Sequence, residues 1–177
     1  MDLLRRFACG EIDAFETLVR DHQSHIYAWI VRIVRDPGVA EDLTVETLWR
    51  IYRARQRFQP AGNFAAWARR IATNLAIDHL RRSRSEQSLL AEPAAAPAPD
   101  GLLQQETRDK IRQAFCRLPV KLRVAATLAL IEERPHDEIA DALGISVGAV
   151  KLRVFRAVRI LRRQLAHLGI APGETRT

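Results

Sequence analysis

Between Ser146 and Arg163 the chain carries Lys151, Arg153, Arg156, Arg159, Arg162 and Arg163 and no Asp or Glu. On one helix such a set pairs with phosphate oxygens, a chemistry that holds a polyanion and breaks no bond. Val150, Val154, Val158 and Leu161 recur at spacings of four, four and three, a stripe that packs inward and leaves the basic side outward. Just before it, Ile139, Ala140 and Leu143 share a helical face, Gly144 supplies a left-handed turn, and Ser146 is placed to cap the next helix. Residues 136–163 therefore read as a helix-turn-helix. Its second helix is expected to meet a DNA major groove with its first turn, Ser146, Gly148 and Ala149.

A second constellation lies upstream. Arg70, Asn74, Ile77 and Arg81 are spaced four, three and four, so they share a helical face away from Trp67 and Ile71. An amide between cations, with Phe58 and the loop to Asn63 just before it, suits an unpaired base that is stacked and hydrogen-bonded. Arg81, Arg82 and Arg84 close that helix with a basic cluster. Cys9, His22 and His25 are the one grouping with metal-ligand character, but His22 falls on an apolar stripe and a fourth ligand is missing. No metal, cofactor or small-molecule substrate is expected. No nucleophile with a positioned base can be named, so catalytic residues are expected to be absent and the chain is not read as an enzyme.

The elements that must position these groups read as helices throughout. Ile12, Phe15, Val19, His22, Ile26, Trp29 and Ile33 step by three or four, and Asp36-Pro37-Gly38 ends that run. A second helix is expected over residues 39–57 with Leu43, Leu48, Ile51 and Tyr52 inward, and a third from near Asn63 with Phe64, Trp67, Ile71 and Leu75 buried. Around EPAAAPAPDG the periodicity fails, which marks a flexible linker over residues 84–103. It separates a unit at 10–83 from one at 104–166. The fold class is all-α, two small helical domains held together mainly by an external partner.

Composition agrees with a polyanionic partner. The 177 residues carry a net charge of +7, and 47% are hydrophobic, enough for each unit to form a small core. The two cysteines, Cys9 and Cys116, lie far apart without CxxC spacing, which fits a reducing compartment. No apolar run reaches membrane-spanning length, so a cytoplasmic protein without membrane insertion is expected.

The stretch AEDLTVETLWRIYRARQRFQPAGNFAAWARRIATNLAIDHLRR resembles the second conserved region of bacterial RNA polymerase sigma factors. LPVKLRVAATLALIEERPHDEIADALGISVGAVKLRVFRAV resembles their fourth, and the small two-domain form resembles the extracytoplasmic-function group. The resemblance implies a factor that binds core RNA polymerase, directs it to promoter DNA and assists melting, with an anti-sigma factor as a further partner. It puts Asp42 and Glu46 on core polymerase. Phe58, Asn63, Arg70, Asn74, Arg81 and Arg82 fall on the promoter minus-10 element. Ser146, Gly148, Ala149, Lys151, Arg153, Arg156 and Arg159 fall on the minus-35 element, Lys151 and Arg153 nearest the groove.

The chain departs from the family pattern at several positions. Val45 stands where Gln is frequent, Leu152 where Ser is frequent, and Pro135 where Ser usually starts the turn's first helix. The loop QPAGN lacks a charged pair often found there. Two other readings compete: a sigma-like module that titrates an anti-sigma factor without touching DNA, and an ordinary helix-turn-helix regulator. The basic helix argues against the first, and the second leaves residues 10–83 without a purpose.

Overall fold

The computed structural model describes residues 2–89 and 102–167, and no strand occurs among them. Helix α1 (Leu3–Cys9) ends at Gly10, whose left-handed backbone (φ 94°) turns the chain into α2 (Ile12–Val34). Phe7 of α1 is wholly buried, its ring 5.6 Å from Phe64, 6.0 Å from Phe58 and 6.1 Å from Phe15. Helix α1 thus packs into the aromatic core of the first unit. A helix of 7 residues is too short to show a period, yet it supplies an aromatic anchor.

Helix α2 is one unbroken helix where the spacing allowed one or two in line, and its packed face is set by Ala14, Leu18, Ile26, Ile30 and Ile33. Ile12, expected inside, is 61% exposed on the first turn. His22 lies half-buried with its ring 5.0 Å from that of Phe64, and burial lowers its pKa while Asp21 partly opposes the shift. Arg35 takes a left-handed conformation (φ 62°), Asp36 Oδ1 accepts from Val39 N–H at 3.0 Å, and Pro37 opens α3 (Pro37–Arg53). A 3₁₀ turn at Arg55–Arg57 leads to Phe58. Asn63 Oδ1 then accepts from Ala66 N–H at 3.1 Å and so caps α4 (Phe64–Leu89). That helix runs six residues into the stretch assigned to the linker; residues 90–101 lie outside the described residues.

The second unit comprises α5 (Leu102–Arg117), α6 (Val120–Ala126) with a wider π-type turn at Thr127–Ile131, α7 (His136–Leu143) and α8 (Val147–His167). Gly144 adopts the left-handed turn (φ 62°), and Ser146 Oγ accepts from Ala149 N–H at 3.2 Å. Both features match the sequence reading. Along α8 the buried positions are Val150, Ala157 and Leu161 with Val154 packed beside them, so Ala157 takes the place expected of Val158. Four, three, four stays closer to the helical repeat than four, four, three.

The two units dock directly on each other. Ile139, Ala140, Ala142 and Val150 belong to the same buried cluster as Ala68, Ala72 and Ala76 of α4, whose small side chains let α7 approach. Above this apolar seam Arg69 Nη1 donates to Glu138 Oε1 at 2.7 Å, and Arg32 and Arg35 reach Glu132 at 3.0 and 2.9 Å. Arg84 Nη1 donates to the carbonyl of Leu118 at 2.9 Å, closing the far end. An external partner is therefore not needed to bring the units together, contrary to the expectation from the proline-rich stretch. That expectation weighed only the linker; the seam is made by faces that each unit also uses for its own core.

Trp29 anchors the centre. Its indole Nε1–H donates to Thr73 Oγ1 at 2.8 Å in the buried interior, and the Thr73 hydroxyl donates to the carbonyl of Arg69 at 2.7 Å. Thr73→Val keeps the shape but leaves the indole N–H without an acceptor. The expected loss is about 1–3 kcal/mol in chemical denaturation, with Thr73→Ser close to the parent. At Gly144 a Cβ would sit 2.7–2.8 Å from the Arg70 guanidinium on a left-handed backbone. Gly144→Ala is expected to cost roughly 1–2 kcal/mol and to speed amide exchange in α7 and the start of α8, with Gly144→Asn losing less.

Candidate nucleic-acid interface

The outer face of α8 is built by subtraction. Once Val150, Val154, Ala157 and Leu161 turn inward, Gly148, Leu152, Phe155 and Arg159 follow the opposite line at the same four, three, four spacing. Lys151 and Arg156 flank that line, and all six residues are exposed. Ala149 is half-buried, and Ser146 is engaged as the cap while remaining exposed. Arg153 lies elsewhere. It is half-buried and points across to α4, lining a cleft with Asn74, Asp78 and Arg81. The resemblance puts it nearest the groove, but a family pattern does not tell which side of this helix α4 will cover.

Helix α4 presents Arg70, Asn74, Arg81 and Arg82, all exposed. Two of the expected partners do not join them. Phe58 is 6% exposed inside an aromatic cluster, its ring 5.0 Å from Trp67 and 5.6 Å from Phe64, so neither face is open to a base. Ile77 is 8% exposed and belongs to the core. Its position on the wheel borders the packed face, and the docking of α7 and α8 widens that face enough to take it in. Asn63 is exposed, with its side-chain oxygen already committed to capping α4.

What remains of this face lines two clefts between the units. One, of about 550 Å³, runs between Asn63, Trp67 and Arg70 on one wall and Asp141, Gly144 and Ser146 on the other. The second, of about 440 Å³, lies between Asn74 and Arg81 on one side and Arg153, Lys121 and Leu143 on the other. Arg82 faces a separate groove with Arg81 and Arg50. The residues read as two DNA contacts at different places thus meet across one seam.

On α3, Asp42 is exposed and the Glu46 carboxylate receives Arg50 Nε at 2.7 Å. The same outer side carries Val45 and Trp49, 70% and 52% exposed, with the Arg53 guanidinium 4.4 Å over the Trp49 ring. From the sequence Val45 stands out only as a departure from the family pattern and Trp49 does not stand out at all, although both fall out of step with Leu43, Leu48 and Ile51. The same holds for Leu152, which stands out only as a departure from the pattern, and for Phe155, which does not stand out at all. In each case the legible signal was a large apolar residue on the wrong side of its own helix. Among the described residues no group of three His, Cys, Asp or Glu gathers into a metal site, and no helix is long and apolar enough to cross a membrane.

The Sigma-70 region 2 family matches residues 18–86, and the Sigma-70, region 4 family matches residues 108–161. The ECF RNA polymerase sigma factor SigE of Mycolicibacterium smegmatis is 35% identical over 160 residues; the match takes in 86% of this chain, which spans 62% of that relative. The RNA polymerase sigma factor CarQ of Myxococcus xanthus is 35% identical over 170 residues, covering 93% of this chain and 97% of CarQ. A solved structure of the sigma factor RpoE in complex with the anti-sigma factor NepR, from Bartonella quintana, is similar in fold, with a TM-score of 0.55 at 24% identity over 88% of this chain and 98% of that one. Two matched regions in order, each on its own helical unit, together with a relative aligned along almost its whole length, make this chain a member of the extracytoplasmic-function sigma factors of RNA polymerase.

Proposed function

We propose that the chain binds core RNA polymerase, directs it to promoters and assists strand opening, with the polymerase performing all covalent chemistry. The observation that carries this reading is the acid-free outer face of α8, exposed and basic, on the same chain as the amide-and-cation face of α4. Two such faces suit two promoter elements. The outer side of α3, with Asp42 and Glu46, is the surface offered to core polymerase, and Val45 and Trp49 add apolar area there. Residues 3–89 form the unit for polymerase and the minus-10 element; residues 102–167 form the unit for the minus-35 element. The work belongs to the cytoplasm, where polymerase and promoter are found. An anti-sigma factor is the further partner, by analogy with the complex of RpoE and NepR. Run-off transcription from a genomic library with core polymerase tests the whole reading; no specific start sites above those of core polymerase alone would end it.

On α4, Asn74 is the group suited to an extruded base. It is exposed, lies outside the buried stripe and has Arg70 one turn before it and Arg81 two turns after it for phosphate. Phe58 is removed from the set, and stacking falls to the half-buried Trp67 at the adjoining cleft. Asn74→Ala is expected to leave assembly with core polymerase unchanged while permanganate reactivity of promoter thymines drops several-fold. Normal melting by the folded variant would remove Asn74 from the pocket.

Because Arg70, Asn74 and Arg81 share their clefts with the helix-turn-helix, promoter engagement requires the seam to open, and polymerase is the agent that holds it open. The Arg69–Glu138 pair is half-buried, so its worth lies between the ~1 kcal/mol of an exposed pair and the ~3 kcal/mol of a charged hydrogen bond. Arg69→Glu is expected to speed amide exchange in α7 of the free chain and to raise its affinity for promoter duplex. Adding Glu138→Arg should restore both values. A single variant indistinguishable from the parent would show that the seam does not limit access.

A further inference from the structure

We propose that Leu152 and Phe155 read the 5-methyl groups of thymine in the duplex met by α8, a specificity that rests on the promoter-binding reading above. The two side chains are 48% and 63% exposed and lie about one turn apart on the line opposite the buried stripe. One turn earlier on the same line is Gly148, where a Cβ would find only Ser146 Oγ, at 3.9 Å, so the backbone can come close to whatever lies in front. Lys151, Arg156 and Arg159 surround the pair, all exposed. A protein groove that took this face would have to be apolar at its centre and strongly acidic around it. A DNA major groove is acidic along both edges, and on its floor the one apolar group is the methyl of thymine.

Neither side chain can form a hydrogen bond, so neither can reward a guanine, an adenine or a cytosine edge. Set against an amino or carbonyl group, each would strip water from it and return no partner, which penalises those bases. Against a methyl, each loses water from its own surface and from the methyl together. Phosphate pairing by Lys151, Arg156 and Arg159 supplies affinity without regard to sequence, while the apolar pair supplies discrimination. A polar residue at position 152 would read a hydrogen-bonding edge; Leu152 changes the rule at that position.

The test uses the full chain assembled with core polymerase. Duplexes are first enriched from a random library, and the enriched upstream element is then made with deoxyuridine for thymine, which keeps every hydrogen-bonding group and removes only the methyl. The expected result is a fall in affinity of about fourfold for each methyl read, the ratio that corresponds to burying one methyl. Leu152→Ala and Phe155→Ala are each expected to bring the thymine-to-uracil ratio toward one while the salt dependence stays as in the parent. Arg159→Ala should do the reverse, weakening both duplexes alike and flattening the salt slope. Equal binding of thymine and uracil duplexes by the parent would overturn the proposal and leave promoter recognition standing. A ratio unchanged in both alanine variants would overturn it by giving the methyl contact to other residues. A change of oligomeric state in either variant, with equal binding of the two duplexes, would assign the face to a second copy instead. Failure of any duplex to enrich would count against the promoter reading itself.

Discussion

A guanidinium held between two units organises this molecule. Arg69 lies 5.6 Å from the centre of the Trp29 ring, donates to Glu138 of α7 at 2.7 Å, and offers its backbone carbonyl to Thr73, which in turn holds the Trp29 indole. One residue therefore links the core of the first unit, the register of α2 on α4, and the seat of α7. Arg134 adds a second cation near the same ring, 5.9 Å away, and approaches Glu138 at 3.8 Å. Charge inside a seam is costly unless it is paired and hydrogen-bonded, and Arg69 and Glu138 are both.

That constraint governs how α4 divides its circumference. Phe64, Ala68, Ala72 and Leu75 pack on the first unit, Arg69 and Ile77 lie where the second unit closes over, and Arg70, Asn74 and Arg81 keep the rest. A helix wholly committed to one core could not also present a nucleic-acid face. The alanines resolve the conflict, since short side chains let two neighbours approach without filling the space that the polar face needs.

Helix α8 meets the same demand with charge. Its inner line is apolar and small enough at Ala157 to sit close to α5 and α6, and its outer line carries cations with no acid to neutralise them. Six like charges on one helix repel one another, and burial of the inner line supplies the favourable energy that offsets this. The field left at the surface attracts phosphate over a distance of about 8–10 Å at physiological salt. Recognition then depends on what lies between the cations, which is apolar.

Much was legible in the residues themselves. Asp36 and Pro37, Gly144 and Ser146 mark turns and caps by chemistry that acts within four residues, and the periods of α2, α4 and α8 follow from a helical repeat that needs no neighbour. The acid-free basic run and the match to two sigma regions are likewise properties of the chain alone. What tertiary structure decided is which side each neighbour covers. Phe58 entered the aromatic cluster because α1 brought Phe7 to it, Ile77 was taken in by the second unit, and Arg153 turned toward α4. The docking of the units, unreadable from a proline-rich stretch, came from apolar faces of α4 and α7 far apart in sequence, with Arg69 on Glu138 above them. Spacing sets a side chain's angle about its own helix axis; only packing sets what stands at that angle.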